Sequence, residues 1–182
     1  MFRPFFGNRP GPRRTGLSAP RYTGFVATMT KLADIEHFLG KKRLAVVGVS
    51  RNPKDFTRSL FRELRKRGYD LAPVNPAAPE IDGIECVARL RDVRPPVEAA
   101  LLLTSPEVTG AVVMECAQAG VESVWMYRAA GAGAVNPEAV RFCKSKGIRV
   151  IAGECPFMFL PNAGFPHSLH RFIKKAIGSY PR

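Results

Sequence analysis

Between residues 44 and 151 the chain repeats one unit: a short apolar run, a turn, and then a segment with apolar residues at helical spacing. The runs are 44–48, 71–74, 99–103, 121–126 and 148–151. They are mostly apolar rather than alternating, with Glu122, Ser123 and Arg149 as the polar residues, as in strands buried on both faces, and that pattern belongs to parallel sheets covered by helices. The intervening segments carry their own start and stop signals. Leu60, Phe61 and Leu64 share one face of a predicted helix over 56–67, and Gly68 ends it. Ser105-Pro106 opens the next helix, with Val108, Val112 and Cys116 on its inner face and Gly120 after it. Asn136-Pro137-Glu138 repeats the start signal, Val135 and Val140 are placed to staple across it, and Gly147 follows. Leu32, Ile35, Phe38 and Leu39 form an earlier helical pattern that stops at Gly40. The piece around Ile84 and Val87 has no clear assignment. Strand–helix repetition with right-handed crossovers predicts an α/β chain: a Rossmann-like doubly wound parallel sheet of five main strands, order 3-2-1-4-5, with helices on both faces.

The two ends read differently. Residues 1–28 contain Gly, Pro and five Arg but no acid and little apolar periodicity, so they are expected to be a disordered basic extension. Met29 resembles a natural start. The domain is expected to run from 29 to 182 and to close with an amphipathic helix bearing Leu169, Phe172, Ile173, Ala176 and Ile177, followed by Gly178. The formal charge of +13 is spread over several elements and is densest over 58–67. A solvated basic surface or a phosphate-bearing partner accounts for it as well as nucleic acid does. No apolar run reaches the ~20 residues of a membrane span. Cys86, Cys116, Cys143 and Cys155 form no C-x-x-C pair and match no zinc spacing with histidine, so no metal site is expected, and reduced thiols point to the cytoplasm.

In such a sheet, ligands bind beyond the carboxyl ends of the strands, at the switch point beside the first. That edge carries Gly48-Val49-Ser50-Arg51-Asn52-Pro53-Lys54. Gly48 lets backbone approach a phosphate, Ser50 offers a hydroxyl, amides near the following helix start can face an anion, and Arg51 and Lys54 add positive charge. A nicotinamide dinucleotide fits less well. The loop lacks G-x-G-x-x-G, and the second strand ends in Pro73-Val74-Asn75-Pro76, with no acid for the ribose hydroxyls.

The run 46–53, followed after a basic helix by Gly68-Tyr69 and then by Pro73-Val74-Asn75-Pro76, resembles the CoA-binding domain family. Ile81-Asp82-Gly83 and the Val124-Trp125 strand end fit the same pattern. The family is similar to the N-terminal domain of the succinyl-CoA synthetase alpha subunit and includes small stand-alone proteins. The resemblance implies coenzyme A or an acyl-CoA as cofactor, with roles at matching positions only. Gly48, Val49, Ser50, Arg51 and Lys54 would hold its phosphates. Asn75 and Pro76 would line the nucleotide part, and Thr104, Ser105 and Pro106 would pack on the pantetheine or adenosine. Trp125 would help close the far side. Many relatives follow this Trp with Gln and soon Gly, whereas here the stretch 126–133 is longer and lacks Gln.

No catalytic residue is assigned. His37, His167 and His170 read as surface or capping groups, Cys155 as a buried thiol, and Phe157, Phe159 and Leu160 as packing under the closing helix. Two alternatives to a non-catalytic CoA module stay open. One is an enzyme, either an NAD(P)-dependent oxidoreductase or a detached subunit of an acyl-CoA ligase with a partner chain. The other is a nucleic-acid binder using residues 1–28, which is disfavoured. A homodimer is compatible with everything above.

Overall fold

The computed structural model describes residues 30–128, 133–161 and 181. The basic extension and the closing amphipathic helix expected from the sequence lie outside them. Helix α1 (Leu32–Leu39) leads into strand β1 (Arg43–Val47), helix α2 (Phe56–Lys66) and strand β2 (Asp70–Val74). A hairpin of β3 (Glu80–Ile81) and β4 (Ile84–Glu85) follows. The chain continues through β5 (Ala99–Leu102), α3 (Pro106–Gln118), β6 (Ser123–Met126), α4 (Pro137–Ser145) and β7 (Arg149–Ala152).

The main sheet is parallel throughout, in the order β2-β1-β5-β6-β7. This is the expected doubly wound topology under another numbering. The segment after the hairpin reaches the outer side of β2 through a single parallel bridge, Val74 to Val87. That segment is the one whose sequence gave no clear assignment, because a strand reduced to one bridge leaves no periodicity.

Burial of the strands on both faces explains their mostly apolar runs. Leu44, Val46, Leu101, Trp125 and Ile151 face α1 and α2 and pack with Ile35, Phe38, Leu60, Phe61 and Leu64. Ala45, Val47, Ala100, Leu102, Val124 and Val150 face α3 and α4 and pack with Val113, Cys116, Val140 and Cys143. On α3 the expected inner face is turned by one residue. Thr109, Val113 and Cys116 are buried, while Val108 is 49% exposed. A threonine is acceptable inside because its hydroxyl bonds the Thr104 hydroxyl (2.8 Å) and the Ser105 carbonyl (3.0 Å). The Asn136 cap is present, its Oδ1 accepting from the Glu138 and Ala139 amides. Ser105 occupies the N-cap position of α3 without a side-chain cap bond. Among the described residues no helix is long and apolar enough to cross a membrane.

Candidate functional site

The chain leaves β1 toward β2 on one side, while β5 lies on the other, so the switch point falls between the carboxyl ends of β1 and β5. Gly48 sits there with φ +85°. Its amide continues the sheet by donating to Val74 O (3.0 Å). A side chain at this place would lie 3.0 Å from Thr104 Cγ2 and 3.2 Å from the Leu103 carbonyl carbon. Glycine therefore answers two demands, a left-handed backbone and the contact of two strand ends. Val49 is buried, and its carbonyl accepts from Asn75 Nδ2 (2.9 Å). Asn75 Oδ1 accepts from Ala77 N (2.9 Å). Asn75 thus ties the end of β2 to the turn after β1, keeping one amide hydrogen for a further partner.

The turn itself is held by short side-chain bonds. Ser50 Oγ accepts from Asn52 N (3.1 Å), Asn52 Oδ1 from Lys54 N (3.0 Å), and Thr57 Oγ1 from Ser50 N (2.9 Å). Asp55 caps α2, accepting from Thr57 N (2.8 Å) and the Thr57 hydroxyl (2.6 Å), and these two bonds hold its carboxyl below the usual range. The amides of Ser50, Asn52, Lys54 and Thr57 are therefore occupied, which narrows the expectation that amides at this helix start meet an anion. What the turn presents outward is charge and hydroxyl. Residues 51–54 are exposed. Among the described residues, the Arg51 and Lys54 side chains form no hydrogen bond or ion pair. The Ser50 hydroxyl proton is still available to donate.

Three features of this edge were not legible in the sequence as parts of one site. Phe56, the first residue of α2, stacks on Tyr127 just after β6 (5.2 Å, 12°), and Phe157 meets Phe56 edge-on (5.5 Å). These rings make an apolar wall across the end of β5, and burial pushes the Tyr127 hydroxyl well above its ordinary range, so it stays protonated. On the other side, Arg58 and Arg62 of α2 converge on Asp82 at the tip of the β3–β4 hairpin. Their residues are adjacent turns of a helix, but the acid lies 24 positions beyond Arg58, and only folding brings it there. Third, Arg128 stands against Gly153 after β7, 3.5 Å from where a side chain there would begin.

Of the expected site residues, Gly48, Val49, Ser50, Asn75 and Thr104 meet at the switch point. Arg51, Lys54, Ser105 and Pro76 rim it, and Pro106 opens α3 beside it, its carbonyl accepting from Asn136 Nδ2 (2.8 Å). Trp125 stands apart. It is fully buried between Phe38 and Phe159, and its Nε1 donates to Glu154 O (2.9 Å). Cys116 and Cys143 are buried and their thiols are pushed up by burial, Cys143 to about 11, so neither is a nucleophile at neutral pH. His37 lies at the opposite edge, beside Glu122. A cavity of about 400 Å³ also opens at that opposite edge, lined by Leu39, Lys42, Arg67, Tyr69 and Pro161. The carbonyl ends of α1 and α2 reach it through Leu39 and Arg67, and helix C-termini disfavour an anion.

The Asp82 cluster yields a stability prediction. Hydrogen bonding by Arg62, and less so by Arg58, holds the Asp82 carboxyl below its ordinary range against an opposing effect of burial. A depressed folded value means stability that is complete above the unfolded carboxylate range near ~4 and is lost as pH falls through the folded value. Asp82→Asn is expected to cost about 1–2 kcal/mol at pH 7. The gap between wild type and variant, followed by urea unfolding, should close as pH is lowered below ~4. A gap independent of pH would contradict the assignment.

Comparison with known proteins agrees with the fold. The family described as a CoA binding domain matches residues 42–161. The chain is 31% identical over 124 residues to the protein YneT of Bacillus subtilis, covering 68% of this chain and 89% of YneT. It is 24% identical over 129 residues to the alpha subunit of acetate–CoA ligase (ADP-forming) II of Pyrococcus furiosus, covering 66% of this chain but only 28% of that subunit. A solved structure of a Pyrococcus horikoshii protein superimposes with a TM-score of 0.64 at 28% identity, covering 68% of this chain and 85% of the other.

Proposed function

The chain belongs to the CoA binding domain family, and from that premise we propose that it binds coenzyme A or an acyl-CoA at the carboxyl edge of its sheet, without itself catalysing a reaction. The observation that carries the reading is the exposed pair of cations, Arg51 and Lys54, which no described residue neutralises, on the turn leaving β1 at the switch point. A diphosphate over residues 48–54 would meet both charges and the Ser50 hydroxyl. The adenosine end would run toward Asn75 and Pro76. Thr104, Ser105 and Pro106 would flank the pantetheine, and the Phe56–Tyr127 wall would give its apolar part a surface. The absence of an acid where β2 ends, with Asn75 engaged to Val49, favours this ligand over NAD.

Calorimetry of the full chain with CoA, acetyl-CoA, NAD and NADP is the direct test. Coenzyme A is expected to bind more tightly than either dinucleotide. Arg51→Gln with Lys54→Gln should weaken it by roughly tenfold for each charge removed. Unchanged affinity in the double variant would remove the phosphate-loop assignment, and tighter NAD(P) binding would reverse the ligand.

A second reading is favoured by the similarity to a ligase alpha subunit: a detached subunit that works with a partner chain supplying the remaining chemistry. It predicts a stable complex with a nucleotide-grasp chain on copurification from the native source.

A further inference from the structure

Arg58, Arg62 and Arg65 project from successive turns of α2 toward one residue, Asp82. Arg58 Nη2 and Arg62 Nη2 share its Oδ1, Arg62 Nε bonds Oδ2 (2.9 Å), and Arg65 Nη1 bonds its backbone carbonyl (2.9 Å). Among the described residues, two guanidinium groups thus face one carboxylate, and a third takes only a neutral carbonyl. The donors outnumber the acceptors as well. Arg58 is only 9% exposed, yet its buried Nε hydrogen has no acceptor among the described residues. Such a surplus of positive charge and of unused donors is expected where an anion is to be received. The cluster also touches the phosphate turn: Arg58 Nη1 reaches Ser50 O (3.4 Å) and Arg62 Nη1 bonds Pro53 O (3.0 Å). It includes the tip of the hairpin that follows β2, the strand whose end carries Asn75 and Pro76. Arg62 is the accessible member, its side chain 47% exposed, and uses three of its five N–H groups.

We infer that Arg62, backed by Arg58, forms a subsite for a phosphate monoester, the 3′-phosphate on the ribose of coenzyme A, and that Asp82 is the resident anion which holds the fork in place until that phosphate shares it. This rests on the CoA reading above and adds to it a discrimination that reading does not require.

The test compares CoA with 3′-dephospho-CoA by calorimetry on the full chain. The wild-type protein should prefer CoA by about tenfold or more, and Arg62→Gln should reduce the preference to within about threefold. Arg62→Lys, which keeps the charge but loses the fork, should fall between them. Arg62 is half-exposed, so these variants are expected to fold, and circular dichroism checks that they do. Equal affinity of the wild type for the two nucleotides, or a preference that survives Arg62→Gln, overturns the subsite and leaves the CoA reading standing. Binding of neither nucleotide overturns both.

Discussion

Trp125→Ala is expected to cost the domain about 3–5 kcal/mol, a large share of the ~5–15 kcal/mol that holds a typical domain folded. The indole is fully buried at the centre of the face covered by α1 and α2. It meets Phe38 edge-to-face at 5.2 Å and Phe159 at 5.9 Å, so truncation removes both ring contacts as well as the area. The same ring serves the carboxyl edge indirectly, because its Nε1 hydrogen holds the Glu154 carbonyl in the turn after β7. Trp125→Phe separates the two roles. It keeps most of the packing and loses the donor, and should cost only about 1–2 kcal/mol. Its affinity for CoA should stay within threefold of wild type, because the ring is fully buried and offers a ligand no surface. Urea unfolding followed by circular dichroism measures the first effect and calorimetry the second. A cost under 1 kcal/mol for Trp125→Ala would contradict the core placement, and a large loss of ligand with Trp125→Phe would return the ring to the site.

Gly48→Ala is the second large effect, expected near ~3 kcal/mol of stability together with loss of ligand binding. A left-handed φ of +85° disfavours any side chain, and the added carbon would press on Thr104 Cγ2 at 3.0 Å and on the Leu103 carbonyl at 3.2–3.3 Å. The carbonyl belongs to the end of the adjacent strand and cannot yield without moving β5, since Leu103 N is itself bonded to Val47 O (2.9 Å). Adding Thr104→Ser removes the nearest methyl and should recover part of the loss, but not the backbone strain. A Gly48→Ala protein with wild-type stability and affinity would show that the two strand ends are not locked at this point.

Much of the fold was written in the sequence. Apolar runs too continuous for a half-exposed strand demanded a sheet covered on both faces, and the Asn136-Pro137 and Ser105-Pro106 starts marked where helices begin. The turn from Gly48 to Lys54 was legible because its residue types are unusual in combination: a glycine, a hydroxyl and two cations directly after a buried strand. The inner face of α3 was less so. With valines at 108, 112 and 113, its hydrophobic pattern fits two rotations of the helix, and the choice was made by hydrogen bonds that receive Thr109 inside.

The sequence by itself determined the layer order, the switch point and the turn after β1, because each depends on local chemistry and on near neighbours along the chain. Tertiary structure alone decided that Trp125 belongs to the core, that Phe56 and Tyr127 stack into one wall, and that three arginines of α2 gather on Asp82. These partners are separated by 17 to 87 positions, and a contact at such range is fixed by how strands and helices pack, not by the spacing of residue types.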